Sequence, residues 1–156
     1  MRTKLAVAAA IAIACASPAR ADQSAEALAL RAKYQLDVLP GVYRLKGWYG
    51  GVRTTRTPSY VGRLVIRRVG YGLSVHWDAW GRHGWGTGLV TVDAQHDGLP
   101  VVTLSVGYLR RNGSLGVAVY DVNAAQDPNG RGWDVYLAGE TAPAMGHEQA
   151  ERTPRG

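Results

Sequence analysis

The chain has 156 residues, with 18 Lys and Arg against 12 Asp and Glu, 20 glycines, one cysteine and no phenylalanine. This length suits one domain with its own core, and a single cysteine excludes a disulfide-built scaffold. A formal charge of +6 is too small to mark a nucleic-acid binder by itself.

The chain opens as an export signal. Arg2 and Lys4 precede an apolar run from Leu5 to Ala14, and Ala19-Arg20-Ala21 supplies a small-x-small cleavage site ahead of Asp22. The run is shorter than the roughly 20 residues a membrane span needs, and no later segment approaches that length. Residues 1–21 therefore read as a signal peptide, and the mature chain as an exported periplasmic or extracellular protein, not an integral membrane one. Ala12-Ile13-Ala14-Cys15 is similar to a bacterial lipobox, which leaves lipid anchoring through Cys15 as the alternative. Cleavage before Asp22 removes the only cysteine and three basic residues, leaving a net charge of +3 that suits a soluble monomer.

Residues 22–38 form a leader. Ala25, Leu28, Ala29, Ala32 and Leu36 recur at helical spacing and Ser24 can cap them, so a helix is predicted over Ser24–Leu36. Its stripe is mostly alanine and buries little. A helix laid across the mouth of the following domain, or a mobile leader, is favoured over a partner-binding helix.

Pro40-Gly41 ends that segment, and residues 39–152 read as alternating strands, with 153–156 as a tail. The predicted strands are Gly41–Tyr49, Ser59–Val69, Tyr71–Trp80, Trp85–Val92, Leu99–Val106, Leu115–Val122, Gly132–Ala138 and Ala144–Arg152. Tyr60, Leu64 and Ile66 share one face of the second, opposite Arg63 and Arg67. Tyr71, Leu73, Val75 and Trp77 share one face of the third, opposite Ser74, His76 and Asp78. Turn signals such as Gly70, Asp97-Gly98 and Asn112-Gly113 separate consecutive strands, and no helix intervenes. This pattern predicts an all-β, eight-stranded antiparallel up-and-down barrel, whose closure removes exposed edges. A two-sheet sandwich is the runner-up, because Leu99–Val106 and Leu115–Val122 are apolar on both faces.

Gly41-Val42-Tyr43 is similar to the Gly-x-Trp that opens the barrel in lipocalins and avidins, together called calycins. More closely, the chain resembles a group of small, uncharacterised, secreted bacterial β-barrel proteins. The resemblance rests on Tyr60-Val61-Gly62, Leu73 to Trp77, Gly86-Thr87-Gly88-Leu89, Val117 to Tyr120, Arg131-Gly132-Trp133 and Gly146-His147-Glu148 in that order. The Tyr-x-Leu element departs slightly, with Tyr71 and Trp77 bracketing Leu73 and Val75. It covers Gly41 to Arg152 and implies a calycin-like fold and export. No biotin-binding set maps onto these residues.

No catalytic signature assembles. Ser74, His76 and Asp78 stand in a ladder, but neighbours two apart on a strand lie about 7 Å from each other, beyond hydrogen-bond reach. His76 with Asp78 remains the weak case for a hydrolase. His76, Asp78 and His83 would want a further metal ligand such as His96 or Asp93, and no metal or other cofactor is expected. The glycines at 81, 84, 86 and 88 form no phosphate loop, and are expected to relieve crowding against Trp77 or Trp80. Glu148 is assigned a structural role, holding an arginine inside the barrel.

Two surfaces remain. Arg44 and Lys46, with Arg63 and Arg67, form a basic patch on the first strand pair, enlarged by Arg53, Arg56 and Arg68; a turn centred near Arg53-Thr54 sets Arg44 opposite Arg63. A solvated outer face is the simplest reading, and an acidic partner the functional one. Trp77 and Trp133 are expected to face the core, while Trp48, Trp80 and Trp85 line a barrel mouth. Tyr43, Tyr60, Trp77, Trp80, Trp85 and Trp133 are thus the candidate ligand-binding residues. The expected function is a non-enzymatic binding module for a small ligand or cell-envelope partner. The alternative is an interaction or inhibitor module acting through the loops Gly50–Pro58 and Asn123–Gly130.

Overall fold

The computed structural model describes residues 25–50, 57–79, 82–96, 99–109, 113–130, 132–142 and 146–154. The predicted signal peptide, Cys15, Ser24, Arg53, Arg56, Trp80, Asp97-Gly98 and Arg131 lie outside them.

Eight antiparallel strands close into one barrel in sequence order. They are β1 (Gly41–Tyr49), β2 (Tyr60–Val69), β3 (Gly72–Ala79), β4 (Arg82–His96), β5 (Leu99–Leu109), β6 (Leu115–Gln126), β7 (Trp133–Ala142) and β8 (Gly146–Arg152). Closure is made by β1 on β8, from Tyr43 opposite Arg152 to Tyr49 opposite Gly146. Every strand therefore has two paired neighbours, and the sheet has no free edge. β4 and β6 run longer than their apolar cores, because backbone pairing continues through polar residues such as Gln126 opposite Trp133.

Alternation decides what faces inward. Tyr43, Leu45, Leu64, Ile66, Leu73, Val75, Leu104, Tyr120 and Leu137 are fully buried and belong to one continuous core inside the barrel. Burying a side chain of this size contributes about 1.5–3 kcal/mol. Tyr71 departs from the predicted face. It sits in the Gly70-Tyr71 turn between paired Val69 and Gly72, and is 95% exposed, while Gly70 takes the positive φ of 57°. The sandwich is excluded.

Large inward rings are matched by glycine on the adjacent strand. A Cβ on Gly47 would lie 2.0 Å from the Tyr60 ring, and one on Gly116 would lie 2.4 Å from that of Tyr108. Gly139 is tighter still, 1.9 Å from the Val119 carbonyl. Gly84 makes only ordinary contact with Trp77, at 3.6 Å, so the expected relief of crowding operates more strongly elsewhere.

The leader closes one end. α1 (Ala25–Lys33) passes into a π-helical turn (Tyr34–Val38), where the Leu39 amide donates to the Tyr34 carbonyl at 2.8 Å. The helix has the predicted period but turns a different face inward. Ala25, Leu28, Ala29 and Ala32 are exposed, whereas Ala27, Leu30, Arg31 and Tyr34 are half-buried. With alanine on every side, a two-residue rotation changes the buried area little. The burial comes after the helix, where Val38 and Leu39 are wholly enclosed among the barrel's core residues. Lys33 Nζ lies 4.7 Å from the Trp133 ring, a cation–π contact that ties α1 to the barrel.

Candidate functional site

At the leader-covered end, Arg152 points inward from the last strand. Its Nη2 donates to the Val38 carbonyl, to the Pro40 carbonyl at 3.0 Å and to the Tyr43 hydroxyl at 3.1 Å. Nη1 donates to the Trp133 carbonyl at 3.2 Å. The guanidinium lies 5.4 Å from the centre of the Tyr43 ring, and that hydroxyl donates in turn to the Leu39 carbonyl at 2.6 Å. Burial raises the Tyr43 pKa, opposed by the positive charge and hydrogen bond of Arg152. Tyr43 and Trp133, two of the candidate binding residues, are thus parts of a structural clamp.

Nearer the other end, Glu148 is enclosed within the barrel, 3% exposed. The Tyr60 hydroxyl donates to its Oε1 and the Tyr120 hydroxyl to its Oε2 at 2.5 Å. The indole N–H of Trp77 is shared between Tyr120 Oη at 3.2 Å and Oε2 at 3.4 Å. Glu148 does not hold an arginine, as the sequence suggested; aromatic donors replace the cation. Strand register explains this, since Gly47 and Gly139 on β1 and β7 both lie opposite Glu148, and the Tyr60 and Tyr120 rings pack over them. The Tyr120 pKa is driven well above 10 by complete burial first, and then by the charge and hydrogen bond of Glu148.

This cluster can accept one more donor. A carboxylate offers about four lone-pair sites; Oε2 uses two and Oε1 one. Beside it Trp77 and Tyr108 meet at 5.0 Å between ring centres, tilted by 49°. Sequence reasoning selected Tyr60 and Trp77 and missed Tyr108 and Tyr120. Their signal was present in the period of Leu104, Val106 and Tyr108 and of Ala118, Tyr120 and Val122, but the opposite faces of those strands are equally apolar.

Trp85 is 71% exposed and stacks on His76 at 4.5 Å, so it does not line the interior or its mouth. Trp80 is outside the described residues, and Trp48 is buried against His147 at 6.0 Å. Asp78 is engaged by His83 at 3.2 Å and by Arg63 at 4.0 Å. The ladder of Ser74, His76 and Asp78 is accordingly split between separate contacts. No group of three metal-ligating side chains occurs among the described residues.

Arg44, Lys46, Arg63 and Arg67 are exposed, and Arg44 stands opposite Arg63. Glu151 lies across from Arg44 on its other side, and Asp78 across from Arg63, so the like-charged pair is flanked by acids.

The class defined by these features is a closed, eight-stranded antiparallel up-and-down barrel with a short covering helix, compatible with a calycin-like architecture. Comparison with protein-family models, with curated proteins and with solved structures finds no match. No helix among the described residues is long and apolar enough to cross a membrane.

Proposed function

We propose that the protein is an exported, non-enzymatic binding module that takes a small ligand at the barrel end formed by Tyr60, Trp77 and Tyr108, above Glu148. One observation carries the reading: a carboxyl group enclosed in the barrel, held by three aromatic donors and no cation, with acceptor capacity left on Oε1. Buried polar groups arranged this way orient a ligand, while apolar rings supply contact area. The matching ligand has a flat apolar body and a donating nitrogen. A hydrolytic reading is less well supported, because His76 stacks on Trp85 on the outer face and approaches neither Ser74 nor a cleft.

The test is thermal melting with benzylamine, phenethylamine and tryptamine against their uncharged alcohol counterparts. The amines should raise the melting temperature of the native protein and fail to raise that of Glu148→Gln. Equal shifts in both proteins, or none in either, would remove the interior site from consideration.

A further inference from the structure

The outer face of β4, β5 and β6 is apolar where an isolated barrel would be polar. Trp85, Leu109 and Leu115 form one cross-strand row, and Leu89 and Val119 flank Ser105 two rows away. Between these rows lie Thr87, Gly107 and Val117. Leu115 is 77% exposed, Trp85 71% and Leu109 55%. None of these nine positions is charged. At the centre, a Cβ on Gly107 would meet nothing within 4 Å, so the middle of the face is a shallow depression ringed by large side chains.

We propose that this face is where two copies of the chain meet, sheet against sheet, about a two-fold axis that runs parallel to β5 and passes over Gly107, midway between the two sheets. That axis lays β4 of one copy over β6 of the other. Trp85 then covers the partner's Leu115, and Leu89 covers the partner's Val119. Every contact is made reciprocally, as a two-fold interface requires. The uncharged centre, where Gly107 faces its counterpart across the axis, permits the ~10 Å spacing of stacked sheets. The exposed apolar residues supply on the order of 700 Å² per copy, close to the ~800 Å² each partner gives to a stable interface. A patch of that size exceeds what monomers ordinarily leave in water. The proposal is independent of the interior site.

The test is the mass in solution of the protein produced from its full coding sequence, by sedimentation equilibrium, for the native chain and for Leu115→Glu and Leu109→Glu. The native protein should have twice the single-chain mass. Both variants should revert to single chains with an unchanged far-ultraviolet circular dichroism spectrum. A native protein that is monomeric throughout the concentration range would overturn the proposal. So would a dimer that survives both variants, or a monomer that binds phosphatidylglycerol vesicles through this face.

Discussion

Glu148 and Arg152 project into the barrel from the same strand, separated only by inward-facing Ala150, and neither is the other's partner. At the rise of a β-strand, four residues set them about 13 Å apart. Each is instead engaged by neutral groups: the acid by two tyrosines and a tryptophan, the two terminal nitrogens of the guanidinium by three carbonyls and a tyrosine, while its buried Nε makes no hydrogen bond. The barrel thus has two separate polar centres, one structural and one with capacity to spare.

The clamp predicts that Arg152→Leu costs about 3–5 kcal/mol, since removing a buried charged donor leaves several acceptors unpaired. Urea unfolding measures this loss. Hydrogen exchange should show protection lost first at Leu39, whose amide closes the π-helical turn. Arg152→Lys should recover only part, because an ammonium cannot span carbonyls on both sides of the Tyr43 ring.

Glu148→Leu should be worse than Glu148→Gln. Leucine takes this acceptor from two enclosed hydroxyls and leaves the Trp77 N–H only Tyr120 Oη, a cost of about 3 kcal/mol. Glutamine keeps one acceptor oxygen and should cost about 1–2 kcal/mol. Equal losses in the two variants, measured by denaturant unfolding, would show that the tyrosines find other partners.

The alkaline limb follows from the tyrosines. Tyr120 and Tyr43 have pKa values raised in the folded state, Tyr120 chiefly by burial and then by Glu148, Tyr43 by burial. The unfolded chain therefore loses these protons first. The stability they contribute is fully present below about pH 10 and is lost as pH rises from there towards the folded values. Tyrosinate absorbance should show a late fraction that ionises together with unfolding, and Tyr120→Phe should make that fraction smaller.

Gly139→Ala should destabilise by at least about 2 kcal/mol, because the obstructing atoms are backbone, which cannot move aside. Gly72→Ala, whose Cβ would meet only the Val69 carbonyl at 3.6 Å, should stay within about 0.5–1 kcal/mol of the native protein. Thermal melting of the pair checks the contrast.

The barrel was legible because its strands alternate and its turns are marked by glycine and asparagine. Arg44 opposite Arg63 could even be read from loop length. The site was less legible, for three physical reasons. Trp85 opens the predicted fourth strand, where it could line a barrel mouth, yet its alternation with the buried Gly84 and Gly88 sends it outward. β5 and β6 carry apolar residues on both faces, which hid Tyr108 and Tyr120. The partners of Glu148 come from β2, β3 and β6, and only closure of the sheet brings them to β8.

The most direct test of the interior site uses the indole N–H resonances of the five tryptophans, with Trp77 and Trp85 assigned by phenylalanine variants. Titration with tryptamine should shift the Trp77 resonance, whose N–H lies in the Glu148 cluster, and leave that of Trp85 on the outer face in place. Movement of Trp85 with Trp77 unmoved would contradict the account.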